Sequence, residues 1–126
     1  MKKREPLEKA PGSDRSVLII DNDPFLLRSL AALLVSRGWT ARTKPDGLRA
    51  LQFLEDTCVD VVICDERMSG PSGAVLLETV AKLCPGTKLV LLSGWPSKVS
   101  RERVAALGGV SVIKGDTQEL LEALDA

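Results

Sequence analysis

From Val17 onward, short apolar runs alternate with amphipathic stretches, and this alternation constrains the fold more than any other feature of the sequence. The apolar runs predict strands at residues 17–20, 39–43, 59–64, 88–92 and 110–113. Each run is followed by a stretch with apolar residues at helical spacing. Residues typical of helix starts open several of these stretches, namely Asp23 with Pro24, Ser72, and Asp116 with Glu119. The sequence therefore predicts five βα units in succession.

Five βα units with short loops favour a parallel sheet, because right-handed crossovers place helices on both of its faces. The apolar runs are continuous, as expected for strands that are buried on both sides. We predict an α/β fold with a doubly wound, five-stranded parallel sheet of strand order 2-1-3-4-5, which is flavodoxin-like. Residues 1–16 hold five basic and three acidic residues, so we predict a flexible N-terminal tail over 1–16 and one domain over 17–126.

The composition excludes several classes of function. The chain has no histidine, which removes Ser-His-Asp and Cys-His catalysis and histidine-ligated metals. Lys+Arg and Asp+Glu number 17 each, so no basic excess indicates direct binding of nucleic acid. No apolar run is long enough for a membrane span. The three cysteines, Cys58, Cys64 and Cys84, show no CxxC spacing, so we expect buried, reduced thiols in a cytoplasmic protein.

Polar residues close four of the five predicted strands. Asp21, Asp65, Ser93 and Lys114 each follow an apolar run directly. The carboxyl ends of parallel strands share one edge of the sheet, which is where open α/β folds bind ligands. Carboxylates suit Mg²⁺, lysine and serine suit phosphoryl oxygens, and a carboxylate can itself become phosphorylated. The sequence therefore predicts an aspartyl-phosphate site without a P-loop.

The stretches that carry these residues resemble the signature stretches of two-component response-regulator receiver domains, which are CheY-like proteins. They read VLIIDNDP, VVICDERMSGPSG, LVLLSGW and VSVIKG, and the resemblance spans about residues 17–125. It implies that Asp65 is the phosphoacceptor and that Asp21 and Asn22 occupy the acidic metal-binding pair. It also implies that Arg67 offers its backbone carbonyl to Mg²⁺. Ser93 and Lys114 would take the roles of the family's Thr/Ser and lysine.

The same resemblance implies a signalling module rather than an enzyme, stand-alone or excised from a longer chain. The phosphoryl group would come from a sensor histidine kinase or a phosphotransfer protein. Phosphorylation would then switch contacts with an effector protein, or within a homodimer, through the fourth helix, fifth strand and fifth helix.

This sequence departs from the family pattern at several positions. Asn22 replaces the second acid of the metal-binding pair, so Mg²⁺ should bind less tightly. Ser111 stands where the family usually has a switch aromatic, and Gly115 stands where it has a proline, usually in cis. We expect a trans peptide bond before Gly115. Trp95 is expected near the mouth of the pocket, where it either gates access or packs against the loop.

Two alternative functions stay open at this point. The departures are compatible with a degenerate receiver that binds partners without phosphorylation. A haloacid-dehalogenase-type phosphatase is the other alternative, because Asp21-Asn22-Asp23 fits a D-x-D motif with Asp21 as nucleophile. Phe25, where that family has Thr or Val, and the shortness of the chain count against it.

Overall fold

The computed structural model describes residues 4–68, 70–95 and 97–125, and its centre is a five-stranded sheet. The strands are β1 (Arg15–Ile20), β2 (Trp39–Lys44), β3 (Val61–Asp65), β4 (Lys88–Ser93) and β5 (Val110–Ile113). The helices are α1 (Pro24–Ser36), α2 (Gly47–Phe53), α3 (Gly73–Leu83), α4 (Lys98–Ala106) and α5 (Thr117–Asp125). All neighbouring strands run parallel in the order β2-β1-β3-β4-β5, which confirms the predicted order 2-1-3-4-5.

Helices cover both faces of the sheet, and each face has its own apolar core. Alternate residues of β1 divide between the two cores, with Val17 and Ile19 on one side and Leu18 and Ile20 on the other. The first core adds buried residues of α1 and α5, and the second adds buried residues of α2, α3 and α4. This arrangement explains the continuous apolar runs of the three central strands β1, β3 and β4, which are buried almost throughout because helices cover both of their faces. None of the helices in the described residues is long and apolar enough to cross a membrane.

Helix caps fix the loops that follow the strands. Asp23 accepts hydrogen bonds from the backbone of Phe25 (2.9 Å) and Leu26 (3.4 Å), so it caps α1 as predicted. Ser72 caps α3 by accepting from the Val75 amide. These caps satisfy amide groups that have no partner within the helix, and they set where each helix starts behind the sheet edge.

The N-terminal segment differs from the predicted flexible tail. Two-residue strands at Glu5–Pro6 and Thr57–Cys58 pair in parallel, and β1 begins at Arg15 rather than at 17. Leu7 packs against the second core, and the Ala10 amide donates to Thr40 Oγ1 (2.8 Å). Charge, proline and glycine content predicted a tail, but the amides of Glu5 and Leu7 donate to the carbonyls of Asp56 and Cys58, and these bonds dock the segment together with the Leu7 side chain. Residues 1–3 lie outside the described part of the chain.

The cysteines differ from the expected set of three reduced thiols. Cys58 and Cys84 form a disulfide across the amino-terminal end of the sheet, with Cα atoms 5.9 Å apart. The docked N-terminal segment and the end of α3 meet there, and their contact could not be predicted from cysteine spacing. Cys64 is free and buried, as expected, and burial together with the Asp65 carboxylate raises the pKa of its thiol.

Candidate functional site

The four polar residues that close predicted strands come together at the carboxyl end of the sheet, as predicted. Asp21, Asp65 and Ser93 are each at most 5% exposed. The ammonium of Lys114, which follows β5, lies 3.0 Å from Asp21 Oδ2 and 3.2 Å from Asp65 Oδ1. One lysine therefore neutralises part of the charge of two buried carboxylates, which would otherwise be costly to desolvate.

The electrostatics of the site depend on this shared lysine. Burial raises the pKa of Asp65, the hydrogen bond from Lys114 offsets part of that rise, and the nearby Asp21 charge adds to it. Burial alone would lower the pKa of Lys114, but its close contacts with the Asp21 and Asp65 carboxylates outweigh burial and raise that pKa. The lysine therefore stays charged beside both carboxylates.

Asp21 is held in a position that leaves one of its oxygens poorly satisfied. Its Oδ1 accepts a hydrogen bond from the Asp23 amide (2.9 Å), which belongs to the turn that starts α1. Its Oδ2 is buried and accepts no hydrogen bond of good geometry, although the Lys114 ammonium is close enough for an ion pair. A buried carboxylate oxygen with free lone pairs, adjacent to Asp65, suits a hard divalent cation. The donor set therefore fits Mg²⁺.

The other predicted metal-site residues contribute less to this geometry. Asn22 is exposed, whereas Asp21 beside it is buried. The Arg67 backbone donates a hydrogen bond to Asp65, which lowers the pKa of that carboxyl in part. The described residues hold no cluster of three or more His, Cys, Asp and Glu side chains that could bind a metal ion. Protein ligands would therefore come from two carboxylates and backbone carbonyls, with water completing the shell.

Glu66 is a site residue that the sequence analysis missed. The Ser93 hydroxyl donates a hydrogen bond to Glu66 Oε2 and accepts one from the Trp95 amide (3.2 Å). Burial would raise the pKa of Glu66, but hydrogen bonds from Ser100 and Ser93 outweigh it and lower that pKa. A second carboxylate directly after a strand-ending aspartate, with serines at 93, 97 and 100, was the available signal.

The site opens to solvent through a cavity of about 290 Å³. It is lined by Asp65, Glu66, Arg67, Ser93, Gly94, Trp95 and Lys114. Trp95 lies at its edge with 82% of its surface exposed, so it is not packed against the loop. The peptide bond before Gly115 is trans, as predicted, and Gly115 has a φ of 96°, which glycine adopts without strain. Asp65 can therefore be reached from solvent on the side of Ser93 and Trp95.

Comparisons with known proteins agree with this architecture. Residues 17–125 match the family model described as the response regulator receiver domain. The chain is 35% identical to the transcriptional regulatory protein GlrR of Escherichia coli strain K12 over 77 residues, covering 61% of this chain and 17% of GlrR. The chain thus spans less than a fifth of that relative.

Solved structures give the same fold. A CheY-like receiver domain from Methanospirillum hungatei superposes with a TM-score of 0.83 at 24% identity, covering 88% of this chain and 90% of that one. A chain from the complex of histidine kinase ThkA with response regulator TrrA of Thermotoga maritima gives a TM-score of 0.78 at 25% identity, covering 88% and 96%. With the family match over residues 17–125, these results show that the chain belongs to the response regulator receiver domain family.

Proposed function

We propose that Asp65 accepts a phosphoryl group and that the resulting acyl phosphate switches contacts between this chain and its partners. One observation carries the proposal: Asp65 is buried at the end of β3, yet its carboxylate faces a solvent-accessible cavity and the Lys114 ammonium at 3.2 Å. A carboxylate in that position is shielded from general solvent but open to a donor from one direction. Its nucleophilic oxygen is oriented by the lysine and by the Arg67 amide.

The donor that fits is a phosphohistidine of a sensor histidine kinase or a phosphotransfer protein, because this chain has no histidine. An Asp65 oxygen would form a bond to phosphorus while the phosphorus–nitrogen bond breaks, and the imidazole would leave with the electron pair. The complex of TrrA with the kinase ThkA supports a partner of this kind. The phosphoryl oxygens would lie near the Lys114 ammonium and within reach of the Ser93 hydroxyl.

Mg²⁺ fits the site as its cofactor. Asp21 and Asp65 would hold it with their carboxylates, together with the backbone carbonyl of Arg67 and water. The ion would supply positive charge to the phosphoryl oxygens as negative charge develops on them. Because Asn22 is uncharged and exposed, we expect weaker binding than a third carboxylate would give, and Asn22→Asp should tighten it.

The contacts that respond would lie on α4, β5 and α5. Ser93 ends β4 ahead of α4, and Lys114 directly follows β5, so both adjoin this surface. The surface presents the exposed apolar residues Val99 and Ile113. Exposed apolar side chains of this kind are available for contact with a protein partner. An effector protein or a second copy of the chain would dock there.

The test is phosphorylation with acetyl phosphate and Mg²⁺, followed by intact mass and peptide mapping. We expect a mass gain of about 80 Da on the peptide that contains Asp65, lost in Asp65→Asn and reduced in Asp21→Asn and Lys114→Ala. Asp60→Asn is the matched control, because Asp60 is a carboxylate at the opposite end of β3. Each variant is checked for cooperative unfolding.

Other results would assign another function. A label that persists in Asp65→Asn but disappears in Asp21→Asn would support the phosphatase with Asp21 as nucleophile. A folded wild-type protein that takes no label, from acetyl phosphate or from a phosphorylated kinase, would support the degenerate receiver.

A further inference from the structure

The Ser93 hydroxyl has no free hydrogen-bonding capacity toward Asp65. It has one proton, which it donates to the Glu66 carboxylate, and it accepts from the Trp95 amide. Ser93 is 3% exposed, so water does not compete easily for this proton. Any phosphoryl oxygen on Asp65 that uses the Ser93 proton must therefore take it from Glu66.

Glu66 also connects this hydroxyl to α4. The side chains of Ser100 and Ser97 lie close enough to its carboxylate to lower its pKa. Ser97 is the N-cap of α4, where its oxygen accepts from the Ser100 amide at 3.0 Å. One carboxylate thus binds the Ser93 hydroxyl at the end of β4 and lies beside the first turn of α4.

β5 carries no aromatic side chain that could connect the site to the proposed contact surface. Ser111 is partly buried in β5 and is too small to fill and vacate an internal pocket. The Ser93–Glu66 hydrogen bond therefore offers a path from the neighbourhood of Asp65 toward α4.

We propose that Glu66 is a positioning residue that holds the Ser93 hydroxyl in the unphosphorylated state and releases it when Asp65 is phosphorylated. This inference rests on the proposed phosphorylation of Asp65. The released carboxylate stays beside Ser97 and Ser100, so we expect its movement to reach the first turn of α4. Glu66 therefore lowers the affinity of the site for a phosphoryl group and transmits its arrival to α4.

The proposal predicts the effect of removing the carboxylate. Beryllofluoride with Mg²⁺ serves as the phosphoryl mimic, and its affinity is measured by tryptophan fluorescence or ¹⁹F NMR. Glu66→Ala should bind the mimic about tenfold more tightly, because the Ser93 proton is no longer shared with a charged acceptor. Glu66→Gln keeps an acceptor oxygen and should fall between Glu66→Ala and the wild type.

A control variant separates Glu66 from carboxylates that merely contact α4. Glu78 of α3 binds Arg103 of α4 at 2.6 Å but does not contact Ser93 in the structure. Glu78→Gln therefore removes a carboxylate contact to α4 and should leave the affinity for the mimic unchanged.

A double-mutant cycle with Ser93→Ala distinguishes positioning from simple charge repulsion. If Glu66 acts through Ser93, Glu66→Ala has no effect on affinity in the Ser93→Ala background. An equal gain in affinity for beryllofluoride in both backgrounds would overturn the proposal, because it would leave only repulsion between Glu66 and the mimic. The proposal would also be overturned if Glu66→Ala raised this affinity in neither background.

The proposed function has a separate readout. If the wild-type chain takes neither a label on Asp65 nor beryllofluoride, the proposed function fails and this inference fails with it. If Asp65 is labelled but the Glu66 effect is independent of Ser93, only the role of Glu66 is overturned.

Discussion

The two ends of the parallel sheet differ in how fully their polar side chains are hydrogen-bonded. At the amino-terminal end, the Asp60 carboxylate accepts from the amide (2.8 Å) and hydroxyl (3.1 Å) of Ser16, and the Cys58–Cys84 disulfide lies nearby. At the carboxyl end, Asp21 and Asp65 share one lysine, and Asp21 Oδ2 accepts no good hydrogen bond.

This contrast indicates that contacts at the amino-terminal end mainly stabilise the fold, whereas polar groups at the carboxyl end are kept available for binding. A site that must accept a phosphoryl group and exchange hydrogen-bond partners cannot have every polar group satisfied beforehand. The proposed function gives the amino-terminal end no part in that exchange, and its polar groups are held by a disulfide, by side-chain hydrogen bonds and by backbone pairing. We therefore expect changes at the amino-terminal end to alter stability with little effect on phosphorylation, and changes at the carboxyl end to alter phosphorylation.

The largest effect should come from Gly73→Ala, the one change expected to damage both properties. A Cβ atom at Gly73 would lie 2.2 Å from the Asp65 carbonyl oxygen and 2.9 Å from the Glu66 Cα, so the backbone that carries the phosphoacceptor must move. We expect the free energy of unfolding to fall by at least about 3 kcal/mol and labelling of Asp65 to fall with it. Urea denaturation and phosphorylation assays measure the two effects.

Gly47→Ala is the matched control, because Gly47 also begins a helix. Its Cβ atom would lie 3.4 Å from the flexible Leu76 side chain, which is ordinary contact. We expect its free energy of unfolding to change by less than about 1 kcal/mol. Equal effects of the two substitutions would contradict the close packing behind Asp65.

The disulfide should account for the next largest effect. Cys58 and Cys84 are 26 residues apart, and cross-linking a loop of that length stabilises by about 3 kcal/mol. Reduction, or the double change to alanine, should lower the free energy of unfolding by this amount while Asp65 is still labelled at the wild-type rate. If the folded, reduced protein no longer took a label on Asp65, the two ends of the sheet would not act independently.

Thiol counting checks the cysteine pairing independently. Burial and the nearby carboxylates raise the pKa of Cys64, so the native protein should show no reactive thiol. Unfolding without reductant should expose one thiol, and unfolding with reductant should expose all three. Three thiols in the unreduced, unfolded chain would exclude the disulfide.

Asp60→Ala should lower the free energy of unfolding by less than loss of the disulfide does. The change leaves the amide of the buried Ser16 without its acceptor, which costs about 1–2 kcal/mol of unfolding free energy. Asp14→Ala is the control, because the Asp14 side chain is 94% exposed and lies 4.0 Å from Arg15. Urea denaturation should separate the two variants, and a loss as large in the control would contradict this role of Asp60.

The smallest effect should come from Asp23→Ala at the carboxyl end. It removes the cap of α1 and should cost about 1 kcal/mol, which Asp23→Ser should largely restore. Labelling of Asp65 at saturating Mg²⁺ should not change. A higher Mg²⁺ concentration needed for half-maximal labelling of the folded variant would instead place Asp23 among the metal ligands.

The sequence predicted the sheet order and the shared edge of Asp21, Asp65, Ser93 and Lys114 because these depend on local patterns. Apolar periodicity defines the strands, and parallel topology then brings their ends together. The Asp23 cap was predictable for the same reason, since its partners are two and three residues away.

The features that escaped prediction all depend on tertiary contacts. Docking of residues 4–10 depends on backbone pairing with Thr57–Cys58, which leaves no side-chain pattern. The disulfide follows from that docking and from where α3 ends. Glu66 escaped because strand alternation would point it away from Asp65, whereas the chain leaves the strand at Asp65 and turns. Those positions are set by the whole fold.

We expect a phosphoryl group on Asp65 to act at one end of the sheet only. Backbone amide NMR with and without beryllofluoride and Mg²⁺ measures the response of both ends at once. We expect the largest shifts at Asp65, Glu66, Ser93 and Lys114 and in the first turn of α4, with residues 5–9 and 57–60 unchanged. Shifts of equal size at both ends, or no shift at the carboxyl end, would contradict an effect confined to the carboxyl end of the sheet.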